Sequence, residues 1–460
     1  MIIPILILAL ILRLINLNQS LWLDEAVQAI TAQNSIPYIF QEITGDFHPP
    51  LYYFLMHFWV RVFGDSEIAL RMPSVLFGVG TIYVLYKIAI KLQGKFTAIL
   101  SAVLLATAPF HVYYSQEARM YSMVIFFASL SIYFFLTLDK SNNNKYLYFL
   151  STILMIYSDY YGFLVLLAQG IYLIIKRNYK FLLICLFVYL FIYLPWLPML
   201  ITQLKTGISA TQALPGWGRL VNVSFWKAVP LTFIKFTIGR ITIFDKKVYS
   251  VVSAGLFVLI GFILMNLIRS KIKNQKNILL VGFWFFVPLI ISWLASIFVP
   301  NFQPFRLLLI LPAFYLLLTI GISTVNNKKL QFLVIGLFLT INLVCLSVYY
   351  SNPYFHREDW RGAVDFLLKQ NKLVILPSET SNWPIRYYDQ NNKIKLLLIV
   401  RGVEEIKKVE KIEEQNVFFI NYLTDVFDPK GLIVGKLKEE GYNKVNEISF
   451  NQINLCEYKK

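Results

Sequence analysis

Two short polar strings near the start of the chain combine the side chains that general acid–base chemistry uses. The string LDEA contains Asp24 and Glu25, and the string DFHPPLYY contains Asp46 and His48. Both strings stand between long apolar stretches, and a charge inside membrane hydrocarbon costs about 2.5–3.5 kcal/mol even on lenient insertion scales. We therefore expect these residues in a loop at the edge of a membrane, and that loop is the first candidate site.

Each of these residues also has a purely structural interpretation. Asp24 could be the N-cap of a short helix, and Glu25 could interact with the dipole of its first turn. His48 could bond only to a backbone carbonyl. The two prolines after His48 favour an extended approach to a second helix over Leu51–Val60, which would hold Asp46 and His48 opposite Asp24. The sequence leaves both interpretations open.

A third string, HVYYSQEARMYS, opens a later apolar stretch. It places Glu117 and Arg119 at the head of a membrane helix, where charges are costly unless they pair or bind a ligand. One alternative is a structural ion pair between these two residues. The other is ligand binding, because the planar guanidinium of Arg119 suits a phosphate. Gln116 and Tyr121 flank this pair and are further candidate substrate-binding residues.

The composition identifies the elements that must position these strings. Hydrophobic residues make up 57% of the 460 positions and charged residues 15%, whereas a soluble protein has about 25% charged residues. The chain is therefore predicted to be a mainly α, polytopic membrane protein. About eleven stretches could cross roughly 30 Å of hydrocarbon. They are residues 1–17, 67–86, 96–110, 118–138, 146–160, 162–176, 180–199, 248–268, 278–299, 306–324 and 330–350.

The net charge of +17 does not indicate a nucleic-acid partner, because basic residues gather in alternate loops. By the positive-inside rule those loops are cytoplasmic. The segments 18–66, 111–117, 200–247 and everything after residue 351 then face outward, and the basic 200–247 segment could attract anionic membrane lipids. The basic residues of the cytoplasmic loops are Lys87, Lys91, Lys95, Lys140, Lys145, Lys176, Arg177, Lys180, Arg269, Lys271, Lys273, Lys276, Lys328 and Lys329.

The C-terminal part of the chain has mixed charge and short apolar runs. Predicted strands alternate with predicted helices, which favours a small α/β domain with a mainly parallel sheet. We place the membrane domain at 1–350 and this outward-facing domain at 351–460, as a packing or acceptor-docking module. The predicted strands are 373–377, 394–400, 417–421 and 448–453, and the predicted helices are 360–370, 403–415 and 430–440.

In their order and shared outward placement, the three strings resemble those of the GT-C membrane glycosyltransferases. The likeness is to the glycosyltransferase 39 and RgtA/B/C/D-like group, with protein O-mannosyltransferases and the lipid A aminoarabinose transferase as more distant relatives. It covers about residues 1–320 and includes YLPWLP at 193–198 and FQPFRLLLILP at 302–312, which contains Arg306. The chain has Asp159-Tyr160 where the family often has His-Tyr, and Leu307 where it often has Tyr.

The resemblance implies the GT-C fold, an active site at the outer membrane face, a polyprenyl-phosphate-linked sugar as donor, and inversion at the anomeric carbon. Asp24 matches the family's catalytic acidic residue, and Arg119 matches a cation near the donor phosphate. Glu25, Asp46 and His48 match positions that shape the acceptor and donor sites.

The required chemistry agrees with this assignment. An alcohol is a poor nucleophile at neutral pH, so a carboxylate such as Asp24 must take its proton. The phosphate leaves as an anion and needs positive charge nearby, which Arg119, His48 or Arg306 could supply. A single displacement predicts inversion, although Glu25 leaves a covalent route formally open.

The sequence thus predicts an inverting transferase that moves a hexose or pentose, with a mannose-like sugar favoured. The acceptor would be a cell-envelope lipid, glycan or protein, as in lipopolysaccharide biosynthesis, at the outer face of the plasma membrane. The alternatives are a flippase or transporter for polyprenyl-linked glycans and an O-antigen ligase or polymerase. Transporters carry ionisable residues near mid-membrane on repeated helices, a pattern not detected here. No cofactor is expected, and a metal is expected only if Asp24, Asp46 and His48 converge.

Overall fold

The computed structural model describes residues 2–213, 216, 218, 221–270, 275–399 and 403–460. Lys271 and Lys273 of the predicted cytoplasmic loops, and Val400 at the end of a predicted strand, lie outside the described residues. Helices fill the part of the chain up to residue 351. They are Ile2–Leu14 (α1), Leu23–Gln33 (α2), Ile36–Gly45 (α3), Leu51–Phe63 (α4), Glu67–Gln93 (α5), Lys95–Ala106 (α6), Pro109–Ser115 (α7), Tyr121–Phe135 (α8), Asn142–Ser158 (α9), Gly162–Ile175 (α10), Tyr179–Tyr193 (α11), Leu197–Ala213 (α12), Phe225–Ile238 (α13), Lys246–Arg269 (α14), Gln275–Ala295 (α15), Leu311–Ser323 (α16) and Lys328–Ser351 (α17).

Several of these helices can cross a membrane. Among the described residues, six helical stretches are long and apolar enough, and a seventh span is possible if α6 and α7, bent by 60°, count as one. The helices α1, α8 and α10 are apolar but shorter. The polytopic helical class is confirmed, whereas the count of eleven spans is not. The six stretches are Glu67–Gln93, Tyr179–Ser209, Lys246–Arg269, Lys276–Ala295, Pro304–Ser323 and Lys328–Ser351.

The bend between α6 and α7 brings the third polar string to the candidate site. Pro109 begins α7 and disfavours helical geometry at the residue before it, where Ala108 is extended. The buried Arg13 guanidinium of α1 donates to the carbonyl of Ala106 at 3.1 Å and contacts Nδ1 of His111 at 2.6 Å. It thereby satisfies a carbonyl left free at the end of α6 and holds the bend in place.

The C-terminal part forms a five-stranded sheet in the order β2-β1-β3-β5-β4. The strand β1 pairs parallel with β2 and β3, and β5 pairs antiparallel with β3 and β4. The sheet is therefore mixed, not mainly parallel. The strands are Leu373–Leu376 (β1), Leu396–Leu398 (β2), Asn416–Asn421 (β3), Asn443–Phe450 (β4) and Ile453–Lys459 (β5).

The predicted strand 448–453 is wrong in its bounds, because it contains the turn between β4 and β5. Gln452 in this turn adopts a left-handed φ of 63°. Short helices pack on the sheet, and Trp360–Gln370 has the bounds predicted for it. They are Trp360–Gln370 (α18), Asn382–Tyr388 (α19), Val403–Ile406 (α20), Thr424–Phe427 (α21) and Leu432–Glu439 (α22).

Alternate residues of the strands fill two hydrophobic cores on opposite faces of this sheet. One core contains Ile375, Phe419 and Leu437. The other contains Trp360, and it also includes Leu23 from α2. The part of the chain after residue 351, called the sheet domain below, thus packs directly against the segment that carries the first polar string.

Candidate active site

Asp24 lies in the first turn of α2 but is not its N-cap. Trp22 occupies the N-cap position and makes no side-chain capping bond, so the N-cap interpretation of Asp24 is wrong. Its side chain is 38% exposed, and its Oδ2 lies 3.8 Å from Nη2 of Arg119. Burial raises the pKa of Asp24, Arg119 opposes the rise, and nearby Asp46 adds to it. Asp24 is therefore a stronger base than a free aspartate.

Glu25 has a different environment from its neighbour. It is fully buried, and it accepts hydrogen bonds from Nε and Nη2 of Arg71 at 2.9 and 2.5 Å and from the Ala118 N–H at 2.8 Å. Burial acts to raise its pKa, but the Arg71 charge and hydrogen bonds bring the pKa below its usual value. These contacts join α2 to α5 and to the third string, and they favour a positioning role for Glu25 over the predicted catalytic one.

Asp46 and His48 lie in the turn between α3 and α4. Asp46 directly follows α3 and accepts a hydrogen bond from the Tyr53 hydroxyl. Burial acts to raise the pKa of Asp46, but the Arg119 charge and the Tyr53 hydrogen bond help to bring it below its usual value. Burial lowers the pKa of His48 to about 3, so its ring is neutral at physiological pH. His48 therefore does not supply the positive charge that the sequence suggested for it.

A helix that the sequence analysis did not connect to the site holds this turn. Nε2 of Gln203 in α12 donates to the carbonyls of Ile43 and His48 at 2.7 and 3.1 Å. Its Oε1 accepts from the Tyr160 hydroxyl, which also accepts from the Trp196 indole at 3.0 Å. The YLPWLP string thus contributes to the site by supporting the Asp46–His48 turn.

The third string is divided between structural and functional contacts. Gln116 donates to the carbonyls of Arg13 and Ile15 and accepts from the Tyr349 hydroxyl at 2.9 Å, so it joins α1 to α17. Glu117 forms a buried ion pair of 2.7 Å with Arg357. A structural Glu–Arg pair therefore exists, but its arginine comes from the far end of the chain.

Arg119 faces the carboxylates of Asp24 and Asp46. It is only 5% exposed, and its Nε has no hydrogen-bond partner in the part of the chain that the structure describes. Burial acts to lower its pKa, but Asp24, Tyr53 and Asp46 raise the pKa well above the usual value. Arg119 is therefore a permanent cation with a free donor beside Asp24.

Arg306 adds a second cation to this region. It lies in the 3-10 helix Pro304–Ile310 and donates to the Asn301 carbonyl at 3.3 Å. Its charge acts on Asp24 and on Asp159, whose pKa burial raises to about 6. Asp159 stands where the related family often has histidine, and the structure places it within the electrostatic reach of Arg119 and Arg306.

A cavity of about 320 Å³ adjoins this group. It contains two predicted residues, Glu117 and Tyr121, and four residues that the sequence analysis missed, Arg240, His356, Arg357 and Glu358. Asp24 itself does not line the cavity, but two residues near it do. They are Trp22, which directly precedes α2, and Glu358, whose pKa the Asp24 charge raises. The lining residues are Trp22, Tyr113, Tyr114, Glu117, Tyr121, Arg240, Thr242, Phe305, Tyr354, Phe355, His356, Arg357, Glu358 and Gln452.

Arg240 is the cavity cation without a carboxylate within ion-pair distance among the described residues. Its Nη1 donates to the Tyr114 hydroxyl at 3.3 Å, and its guanidinium lies 5.0 Å from the Tyr113 ring centre. Arg357 lies 3.8 Å from the same ring but is paired with Glu117. The signal that could have identified Arg240 is its place directly after the apolar helix Phe225–Ile238.

The site therefore combines the partly exposed Asp24 carboxylate of raised pKa with Arg119 and Arg306, and adjoins an aromatic-walled cavity lined by two more arginines, Arg240 and Arg357. This arrangement can remove a proton from a hydroxyl and stabilise an anion. No group of three or more His, Cys, Asp or Glu side chains that could hold a metal ion occurs among the described residues.

Comparisons with known proteins found a family model and several solved structures that are similar to this chain. Residues 47–201 match the family model described as dolichyl-phosphate-mannose-protein mannosyltransferase. No curated protein sequence matches the chain. The structure of ArnT from Cupriavidus metallidurans bound to undecaprenyl phosphate is similar with a TM-score of 0.59 and 12% identity, over 99% of this chain and 97% of that chain.

Two structures of the Archaeoglobus fulgidus oligosaccharyltransferase are also similar, each at 12% identity. The complex with Zn and sulfate has a TM-score of 0.56 over 97% of this chain and 73% of that chain. The complex of AglB with an inhibitory peptide and a dolichol-phosphate has a TM-score of 0.54 over 91% and 69%. The chain therefore shares its fold with these membrane-protein structures, and residues 47–201 are similar to the mannosyltransferase family.

Proposed function

We propose that this protein transfers a sugar from a polyprenyl-phosphate-linked donor to a hydroxyl of a cell-envelope acceptor, with inversion, at the outer face of the plasma membrane. The observation that carries the proposal is the Asp24 carboxylate, which lies 3.8 Å from Arg119. Burial raises its pKa, and the charges of Arg119 and Arg306 act against this rise. The undecaprenyl phosphate and dolichol-phosphate bound to two structures of similar fold support a lipid-phosphate donor.

Asp24 is the proposed general base. Its carboxylate takes the proton of the acceptor hydroxyl while the hydroxyl oxygen forms a bond to the anomeric carbon. The bond between that carbon and the phosphate oxygen breaks in the same step, and polyprenyl phosphate leaves as an anion. Partial exposure leaves Asp24 accessible to the acceptor, and burial of its surroundings increases its basicity.

Positive charge stabilises the leaving phosphate. Arg119 offers a free Nε donor and Arg306 a second guanidinium near Asp24. Arg240 extends this positive region into the cavity, whose size lies at the small end of the range for ligand sites. Tyr121 and Phe305 in its wall provide an apolar surface beside these charges.

The proposed mechanism is a single displacement, because the other carboxylates are held by hydrogen bonds. Both oxygens of Glu25 bond to Arg71, and Asp46 accepts from Tyr53. A covalent intermediate would need a second carboxylate free to attack the anomeric carbon. With Asp24 as the free carboxylate, the reaction inverts the configuration of the sugar.

The family description names mannose and protein, which favours a mannose-like sugar and admits a protein acceptor beside a lipid or glycan. The test mixes purified protein with polyprenyl-phosphate hexose and a crude envelope extract. We expect release of free polyprenyl phosphate and a product of inverted anomeric configuration. Movement of the intact lipid across a vesicle bilayer without cleavage would instead identify a flippase and contradict the proposal.

A further inference from the structure

The helix that carries Asp24 has no cap of its own. The first N–H groups of a helix need acceptors, but Trp22 at the N-cap position of α2 carries an indole, which only donates. The Glu358 side chain lies near this end of α2, where the Leu23 N–H acts to lower its pKa. A carboxylate at this end interacts favourably with the helix dipole. The group that faces the N-terminus of α2 therefore comes from the start of the sheet domain.

The sheet domain holds Glu358 rigidly. The Trp360 indole donates to its Oε2 at 2.8 Å, and the Tyr422 hydroxyl donates to its Oε1 at 3.0 Å. Trp360 is fully buried, and its ring packs edge to face with that of Tyr422 at 5.0 Å. Two residues of the domain core thus fix the position of the Glu358 side chain.

Leu23 anchors α2 a second time. Its side chain is 7% exposed and lies in the same core as Trp360 and Tyr422, so a residue of the first outward segment completes the core of the sheet domain. The residues before it are held as well. The Tyr388 hydroxyl accepts from the Leu21 N–H at 2.8 Å, and the Arg361 N–H donates to Oγ of Ser20 at 3.0 Å.

The segment 357–361 of the sheet domain also contacts the string that carries Arg119, the ion-pair partner of Asp24. Arg357 pairs with Glu117, two residues before Arg119, and its backbone N–H donates to Oε1 of Gln19 at 2.8 Å. Residues 357–361 therefore contact both the segment before Asp24 and the string that carries Arg119. They set the position of the two charges relative to each other.

We propose that the C-terminal sheet domain positions the catalytic carboxylate, with Leu23 anchoring α2 in the core of that domain and Glu358 lying at the N-terminus of the same helix. Leu23 is a positioning residue, since it acts through Asp24 and not on the substrate, whereas Glu358 also lines the cavity. This inference rests on the proposed role of Asp24 as general base. A displacement of about 1 Å in a catalytic group can cost about a hundredfold in rate. Loss of the Leu23 anchor is therefore expected to lower kcat and to leave donor KM almost unchanged.

The test uses the full chain with Leu23→Ala and Glu358→Gln, and with Leu437→Ala as the matched control. Leu437 is fully buried in the other core, on the opposite face of the sheet from Leu23. Amide hydrogen exchange of α2 and release of polyprenyl phosphate from polyprenyl-phosphate hexose are measured for each. We expect faster exchange in α2, and kcat about tenfold or more below wild type, for the first two variants only. Leu23→Met is expected to restore both.

The inference is overturned if kcat and exchange of α2 stay at the wild-type level in Leu23→Ala and Glu358→Gln. It is also overturned if Leu437→Ala has the same effect, because general loss of domain stability would then explain the result, or if α2 loosens while kcat is unchanged. Failure of the proposed function would appear in the wild-type protein as absence of polyprenyl phosphate release. In that case the exchange comparison still decides whether the domain anchors α2.

Discussion

The buried pair of Glu25 and Arg71 gives the sharpest stability prediction. Both side chains are 1% exposed or less, and Arg71 also donates to the carbonyls of Leu17, Gln19 and Ser20. Glu25→Gln keeps the size of the side chain but leaves the Arg71 charge buried without its counterion. Removing one partner of such a pair costs about 3–5 kcal/mol. We expect a loss of this size in the free energy of unfolding, measured by denaturant titration in mixed micelles.

An exposed pair in the sheet domain supplies the control. Lys444 and Glu447 lie 2.6 Å apart and are 42% and 40% exposed, so Glu447→Gln should cost no more than about 1 kcal/mol. A cost below about 1 kcal/mol for Glu25→Gln, or a cost equal to that of Glu447→Gln, would refute the reasoning.

Three further predictions concern the reaction. Arg119→Gln should shift the acid limb of the kcat/KM profile to higher pH, since Arg119 lowers the pKa of Asp24 and the base must be deprotonated. An unshifted limb would show that Arg119 does not lower the pKa of the catalytic base. Arg240→Ala should raise donor KM about tenfold or more by loss of a charge-assisted bond, with partial recovery in Arg240→Lys; equal KM values would exclude a donor contact. His48→Gln should leave the pH profile between pH 5 and 8 unchanged, because His48, with a pKa of about 3, is neutral there; a lost inflection would contradict this.

The local features of the fold could be predicted from the sequence, and the long-range pairings could not. Hydropathy predicts the membrane helices, and periodicity predicts Trp360–Gln370 because its apolar residues recur on one face. The partner of Glu117 lies 240 positions away at Arg357, and no local pattern encodes such a pair. The turn at Gln452 was missed because neither it nor Asn451 is a glycine.

The candidate site shows the same division. The resemblance to the GT-C glycosyltransferases implied that Asp24 and Arg119 belong to one site, and the structure brings their side chains within 3.8 Å. Glu25 and Asp24 are adjacent in sequence and could not be distinguished by type. Only the position of Arg71 on α5 shows that Glu25 is fully paired. Arg240 and Glu358 come from distant segments that converge only in the folded chain.

The most direct measurement of the central claim is the single-turnover rate of sugar transfer by Asp24→Asn, with binding of polyprenyl phosphate measured on the same preparation. An amide of the same shape cannot take the acceptor proton, so we predict a rate about 10²- to 10⁴-fold below wild type with lipid binding preserved within about twofold. A rate within about threefold of wild type, with lipid still bound, would contradict the assignment of Asp24 as the base.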